Sequence, residues 1–299
     1  MFFHIQQLIN EIVPDEPDPA AANALQEGLG GQFGEMRTMM QYLFQSFNFR
    51  GKAKPYLDLI QGVGIEEISH VELLATTINH LLDGSPRYQG NGKTPGEGGS
   101  TPLKVALQGG ENIHHFLVGA QGAMPVDAAG NPWSGSYVYN SGNLILDLLY
   151  NVMLESTGRL QKCRIYEMTS NKTARATIAY LIARDEAHQK VFAKALETLG
   201  VNWGKVLPIP AVDTSKYPEV RKLMEQGVHI YQHHWRLDKS EMGRIYQGAS
   251  PTHDGTTVTT SDKPPQGFTI PESASRPEEF SPGLPPELMD MLRQAAVGV

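Results

Sequence analysis

Two residues of the chain, Glu67 and His70, have side chains that could bind a metal ion together. They lie three positions apart in a segment of helical character, residues 56–82, so the carboxylate and the imidazole point to the same face. A carboxylate that faces a protein core is costly unless a cation meets it. A divalent metal ion meets that need, with a histidine nitrogen as a natural further ligand. A single Glu-x-x-His also arises by chance, so the pair needs companions.

Companions of the right type occur on three other segments with helical spacing. Glu67 follows Glu35 by 32 residues, His188 follows Glu155 by 33, and Asp185 stands three positions before His188. In dinuclear carboxylate sites of four-helix bundles, two helices give one Glu each and two give Glu-x-x-His. The alternative is four amphipathic helices with incidental acids. The joint occurrence of all four parts favours the metal site.

The spacing of apolar residues predicts the helices that would position these side chains. Four long helices are expected at about 19–47, 55–82, 143–169 and 173–199, after a short one at 2–12. Asp18 before Pro19 is typical of an N-cap and a first helical residue. Gly30, Gly31 and Gly34 interrupt the first long pattern. We expect that another backbone or a site needs the room they leave; the alternative is a joint between two helices.

A long segment rich in glycine, proline and asparagine, at about 83–142, separates the second predicted helix from the third. Connections of this length are uncommon unless they cross over or carry function. The predicted fold is therefore all-α, a four-helix bundle over residues 1–200 with one long crossover between helices 2 and 3. His114 and His115 fall in the crossover, where a surface or core role is favoured over metal binding.

Residues 201–299 differ from the rest of the chain because they are rich in proline, which excludes long regular elements. Short helices are expected at about 218–231 and 285–296. We predict a proline-rich C-terminal arm that lies on its own bundle or, as we favour, on neighbouring subunits. His229 and His233 are four residues apart, but they lack a companion carboxylate at helical spacing, which favours a packing or solvent role over metal binding.

Composition narrows the class of protein. The chain has 299 residues, a net charge of −7 and scattered basic residues, so nucleic acid and anionic membrane are poor candidate partners. The single cysteine, Cys163, excludes an intrachain disulfide framework and is expected to be a buried thiol. The amino terminus has no signal-peptide pattern, and no apolar stretch is long enough to span a membrane. A soluble, cytoplasmic protein is the expectation.

Three stretches carry a resemblance to a known family. LQEGLGGQFGEM at 25–36, MQYLFQ at 40–45 and EEISHVE at 66–72 resemble the manganese, non-haem catalases. The resemblance covers residues 1–200 clearly and the arm more loosely. It implies a ferritin-like bundle, two manganese ions per subunit, no haem, and a homo-hexamer whose arms wrap neighbouring subunits.

Carried onto this chain, the resemblance assigns residue roles. It makes Glu35, Glu67 and His70 ligands of one manganese ion. It makes Glu155 and His188 ligands of the other, with Glu67 as the best candidate to bridge both. Tyr42 would match a tyrosine that hydrogen-bonds the Glu35 carboxylate.

Two departures from the family pattern bear on catalysis. Some members have an arginine directly before the third-helix glutamate, where this chain has Leu154. Lys162, seven residues after Glu155 and on its face, could supply the cation or be an ordinary solvated lysine. Family members often have glutamate where Asp185 stands. Its shorter side chain favours a role as an acid or base beside the metals over direct ligation.

The implied reaction is the disproportionation of hydrogen peroxide to water and oxygen, with the manganese pair cycling between divalent and trivalent states. Three carboxylates and two neutral imidazoles leave a charge that bridging solvent can balance, and a metal pair can hold both oxygens of a peroxide. A di-iron oxidase or peroxidase is an alternative, because iron accepts the same ligand types. A non-catalytic metal-storing or spore-coat-like relative is the other.

Overall fold

The computed structural model describes residues 4–83, 114–119, 122–206, 208–236, 238–272 and 285–297. Short 3₁₀ turns lie at Gly51–Ala53, Gly135–Tyr137 and Met242–Arg244, and the strands are β1 (Tyr231–His233), β2 (Gly248–Ala249) and β3 (Thr257–Ser261). The helices are α1 (Pro19–Gly30), α2 (Glu35–Ser46), α3 (Lys54–Leu82), α4 (His114–Leu117), α5 (Leu144–Met168), α6 (Lys172–Thr198), α7 (Trp203–Val206), α8 (Pro218–Glu225) and α9 (Pro286–Val297). The described chain is thus mainly helical, as predicted, with three short strands.

The bundle is formed by α1 with α2, α3, α5 and α6, and local capping explains where its helices begin. The Asp18 carboxylate accepts from the backbone N–H of Ala21 at 2.9 Å, as an N-cap should. Asn143 and Asn171 cap α5 and α6 in the same way. The ends of α3, α5 and α6 agree closely with the predicted ranges.

The prediction of one continuous helix over 19–47 was wrong. The chain leaves helical geometry at Gly31, whose φ of −69° and ψ of 172° are extended, and α2 starts at Glu35 after an extended Gly34. The expectation that another backbone needs room was right at Gly30, since a Cβ there would lie 2.2 Å from the carbonyl oxygen of Val126. The glycines both end α1 and let the crossover pass against it.

The predicted helix at 2–12 was also wrong over its described residues, 4–12. Leu8 instead forms an antiparallel bridge with Phe268, with backbone N–H to O distances of 2.8 and 2.9 Å. Leu8, Ile9 and Ile12 are buried in the bundle core. Their apolar spacing therefore reflects packing of an extended segment held by the arm.

Much of the predicted crossover, at 84–113 and 120–121, lies outside the described residues. Its last part is held on α1 by Gln26, whose amide donates to the carbonyls of Met124 at 2.5 Å and Val126 at 2.7 Å. His115 is buried with Nδ1 3.0 Å from the carbonyl of Gly122, and His114 is exposed, as expected of surface or core histidines.

The described part of the arm lies on its own bundle. Its sheet has the order β1-β3-β2, with β1 parallel and β2 antiparallel to β3. Two ion pairs fasten it to the bundle helices: Arg236 to Asp58 of α3 at 2.5 Å, and Asp254 to the buried Lys190 of α6 at 2.8 Å. The predicted helix at 218–231 is the shorter α8, and that at 285–296 is α9. Packing on neighbouring subunits stays a prediction.

Two apolar clusters fill the bundle and leave a polar layer between them. One contains Leu29, Leu74 and Ile178, and the other contains Ile60, Val152 and Phe192. On each of α3, α5 and α6 the charged residues named from the sequence fall between the two clusters. No helix in the described part of the chain is long and apolar enough to cross a membrane.

Candidate metal centre

The bundle brings the predicted ligand residues together in its polar layer. Glu35 is the first residue of α2, Glu67 and His70 lie on α3, Glu155 on α5 and His188 on α6. Each is at most 1 % exposed. Burial of this many ionisable groups is costly unless cations compensate them.

Two groups of three residues have ligand atoms close enough to hold an ion each. Glu35, Glu67 and His70 form one group, and Glu67, Glu155 and His188 form the other, with all ligand atoms of a group within 4.8 Å of one another. Glu67 belongs to both. Asp185 belongs to neither, so Glu67–His70 and Asp185–His188 are not equivalent.

The Glu67 carboxylate lies between the inner nitrogens of the two imidazoles. Its Oε2 is 2.9 Å from Nδ1 of His70, and its Oε1 is 2.9 Å from Nδ1 of His188. The two rings stack with centroids 5.6 Å apart and an interplanar angle of 24°. Although Nδ1 of His188 lies close to Glu67, neither nitrogen of His188 makes a hydrogen bond of acceptable geometry in the described structure. Orphaned buried donors and acceptors of these types suit a bound metal ion.

Lys162 is a buried cation, which decides between the two alternatives left open for it. Its Nζ lies 2.8 Å from Oε1 of Glu35 and donates to Oδ2 of Asp185 at 2.7 Å. Burial opposes the charge on Lys162, but the two carboxylates outweigh it and raise the pKa of the ammonium group. Leu154, at the position of the family's arginine, is a buried apolar residue.

The pKa of the Asp185 carboxyl is subject to opposing electrostatic effects. Burial, with the charges of Glu35 and Glu155, raises its pKa to about 8, although Lys162 acts to lower it. Its Oδ1 has no hydrogen-bond partner among the described residues. Glu35 behaves oppositely: burial opposes its ionisation, but Lys162 and His70 hold the pKa of this carboxyl below its usual range. A carboxyl whose burial favours the protonated form, beside a pair of metal positions, is suited to proton transfer.

The Tyr42 hydroxyl reaches a different carboxylate from the one expected. It donates to Oε1 of Glu155 at 2.5 Å, and the expectation that it would bond Glu35 is corrected. In α2, Thr38, one turn after Glu35, places its own hydroxyl 3.3 Å from Oε2 of Glu35. Burial and the Glu155 charge raise the pKa of Tyr42 well above its usual value, so the phenol stays a donor.

Sequence reasoning missed Glu66, although it precedes Glu67. It is fully buried, and its carboxylate accepts from Nε of Arg184 at 2.6 Å and from side chains of Gln232 and Trp235 in the arm. Burial opposes ionisation of Glu66, but Arg184 outweighs it and holds the pKa of this carboxyl well below its usual range. The one sequence signal was local, since Glu66 and Arg184 each stand directly before a residue already singled out.

The histidines of the arm do not join the centre. His229 and His233 lie in a turn and in β1, and His233 places Nδ1 3.1 Å from the carbonyl of Lys263. Among the described residues, neither belongs to a group that could hold a metal ion. The packing role favoured for them agrees with this placement.

Comparisons of sequence and of structure with known proteins match the same family. A family model for manganese-containing catalases matches residues 1–292. A manganese catalase of Bacillus subtilis is 38 % identical over 250 residues, or 83 % of this chain and 89 % of that protein. One from Lactiplantibacillus plantarum is 38 % identical over 229 residues, or 76 % and 84 % of the two chains. The solved structure of KatB, a manganese catalase from Anabaena, shares the fold at 21 % identity and a TM-score of 0.55, covering 88 % of this chain and 100 % of that chain.

Proposed function

The chain belongs to the family of manganese-containing catalases, and we propose that its Glu/His cluster is the dimanganese centre where hydrogen peroxide reacts. The family reaction converts two molecules of hydrogen peroxide into two of water and one of oxygen. The observation that supports this assignment is the pair of buried ligand groups that share Glu67. A shared carboxylate is what two adjacent ions require.

The proposed roles follow the two groups. Glu35 and His70 would hold one manganese ion, Glu155 and His188 would hold the other, and Glu67 would be shared by both, with Nδ1 of each histidine facing Glu67. When bound, the manganese pair would supply the two-electron chemistry by alternating between divalent and trivalent states. The buried surroundings exclude bulk water and strengthen each charge interaction within the centre.

In this proposal Lys162 compensates the negative charge of the carboxylates, and Asp185 holds a proton. One peroxide gives up two protons and two electrons as it becomes oxygen, and the other takes up two of each as it becomes two waters. Asp185 is our candidate for holding a proton between these halves, because its Oδ1 is unoccupied by any described donor. Lys162 stays charged, ties Asp185 to Glu35 and keeps the Glu35 carboxylate ionised for metal binding.

Tyr42 orients the Glu155 carboxylate. Its hydroxyl donates to Oε1, the Glu155 oxygen that lies 3.7 Å from Nδ1 of His188, and so fixes how this carboxylate faces the metal position. The resemblance to the family further supports a homo-oligomer, as a hexamer with arms on neighbouring subunits. Two units, a bundle over 1–200 and an arm over 201–299, and a cytoplasmic location belong to the same proposal.

Oxygen release from metal-defined protein tests the proposal. Metal-free protein is reloaded with Mn²⁺ or with Fe²⁺, and oxygen and remaining peroxide are measured together. We expect the manganese form to release one oxygen for every two peroxides consumed. Peroxide consumption without oxygen, or turnover by the iron form alone, would identify a di-iron peroxidase instead.

A further inference from the structure

A second carboxylate faces the two imidazoles from the edge opposite Glu67. Oε1 of Glu66 lies 3.6 Å from Nε2 of His70 and 3.4 Å from Nε2 of His188. Neither Nε2 atom has a hydrogen-bond partner within the described ranges. Because the rings are stacked, both outer edges point to this one carboxylate. Glu66 and Glu67 thus flank the histidine pair on its two sides.

The arm holds Glu66 in this position. The Gln232 amide donates to Oε2 at 2.7 Å, and the indole N–H of Trp235 donates to the same oxygen at 3.1 Å. Arg184 donates through Nε to Oε1 at 2.6 Å, and through Nη1 to the carbonyl of Tyr231 at 2.9 Å. Two residues of the arm, each more than 160 positions away in sequence, and Arg184 of α6 therefore determine where this carboxylate lies.

We infer that Glu66 is a positioning residue shared by both histidines. Its Oε1, 3.6 and 3.4 Å from the two Nε2 atoms, would accept the Nε2–H of His70 and of His188 in the metal-loaded centre, and would thereby leave both Nδ1 atoms for metal ions. The inference rests on the proposed function, because it requires manganese at both Nδ1 positions. A metal-bound histidine that donates its other N–H to a carboxylate has a fixed ring orientation and is a stronger donor. Here one carboxylate, Glu66, would orient the histidine ligands of both ions, and hydrogen bonds from the arm hold Glu66 in place.

A shared acceptor makes the two ions respond together. Removing the charge of Glu66 makes both imidazoles poorer donors, which weakens both metal positions and favours the divalent state. Removing the Trp235 N–H has the opposite electronic effect, because more charge remains on Glu66 to polarise the imidazoles. The reduction potential of the pair therefore rises in Glu66→Gln and falls in Trp235→Phe. A merely structural role for these residues does not give opposite signs.

The test uses full-length protein, with Mn²⁺ affinity measured by competition with a chelator and the potential by spectroelectrochemical titration. We expect Glu66→Gln to lose affinity for both ions by roughly 10–100-fold and to shift the potential upward. Trp235→Phe should keep two ions and shift the potential downward. Trp133→Phe is the matched control, because Nε1 of Trp133 has no hydrogen-bond partner among the described residues, and its potential should equal that of wild type.

Several outcomes would overturn the inference. They are wild-type affinity in Glu66→Gln, loss of only one ion, or shifts of the same sign in the two variants. If Glu66→Gln does not fold because Arg184 loses its partner, an unchanged potential in Trp235→Phe is sufficient to overturn it. Wild-type protein that binds two manganese ions and releases oxygen keeps the proposed function even then. Wild-type protein that binds fewer than two overturns both.

Discussion

The Nζ atom of Lys162 lies 2.7 Å from Oδ2 of Asp185, and both side chains are buried in the centre of the bundle. The same ammonium group lies 2.8 Å from Glu35, so a single cation serves two carboxylates. A buried cation shared in this way sets the charge of the centre before any metal ion is bound. Replacing Lys162 should therefore change the free energy of unfolding, and a double variant can separate the contribution of Asp185 from that of Lys162.

Lys162→Met should destabilise metal-free protein by roughly 3–5 kcal/mol, because Asp185 and Glu35 lose the cation that compensates them. Adding Asp185→Asn removes the buried carboxyl that has lost its Lys162 partner and should recover part of the loss. Urea unfolding of the two single variants and the double variant measures the coupling. Additive losses in the double variant would show that the two groups do not interact as described.

Tyr42→Phe should weaken one metal position more than the other. The hydroxyl donates to Glu155, which belongs to the group with His188, so we expect a loss of roughly 10–100-fold at that position and little change at the other. Stepwise Mn²⁺ titration resolves the two affinities. Tyr56→Phe is the control, since its hydroxyl contacts the exposed Thr198 at 2.9 Å. Equal weakening of both ions would contradict the assignment of Tyr42 to Glu155, and it would contrast with the joint effect expected at Glu66.

Gly30→Ala should destabilise the protein by roughly 1–3 kcal/mol, since the new Cβ would lie 2.2 Å from the carbonyl oxygen of Val126 and the crossover must shift. Gly28 lies in the same helix, and its Cβ would meet Ile165 at an ordinary 3.6 Å. Gly28→Ala should therefore be neutral or stabilising by about 0.5–1 kcal/mol. Urea unfolding compares the two. Equal stability of both variants would exclude the close approach at Gly30.

The attachment of the arm should depend on pH through Asp254. Burial opposes its ionisation, but Lys190 and Thr256 outweigh it and hold the pKa of Asp254 below its usual value. A depressed folded-state pKa contributes stability above the unfolded value of about 3.9, and this stability is lost as the pH falls below it. The difference in unfolding free energy between wild type and Asp254→Asn should be constant from pH 5 to about 7 and shrink below about pH 4. A difference that grows in acid would contradict the ion pair with Lys190.

Local signals were sufficient to predict much of this structure. Asp18 before Pro19 marks a helix start, and the i, i+3 spacing of Glu67 and His70 on a helix made them neighbours on one face. The break at Gly31 was missed because apolar residues continue at helical spacing on both sides of it. Propensity and periodicity report the faces of helices, but they do not report a change in the direction of the chain.

Contacts between distant segments could not be predicted from spacing. The acceptor of the Tyr42 hydroxyl depends on how α2 packs against α5, so the expected partner was Glu35 and the observed one is Glu155. Leu8 pairs with Phe268, and Glu66 bonds Trp235, across most of the chain length. These contacts are set by the tertiary fold, because each joins groups from segments that are far apart in the sequence.

The manganese content of Glu67→Gln protein tests the central claim most directly, because Glu67 is the residue common to both ligand groups. Metal analysis and oxygen release are measured beside the exposed control Glu287→Gln, with helical content checked by circular dichroism. We predict two manganese ions per chain and oxygen release in wild type and in the control. Folded Glu67→Gln protein should hold neither ion and release no oxygen. Two bound ions with full activity in that variant would contradict the account.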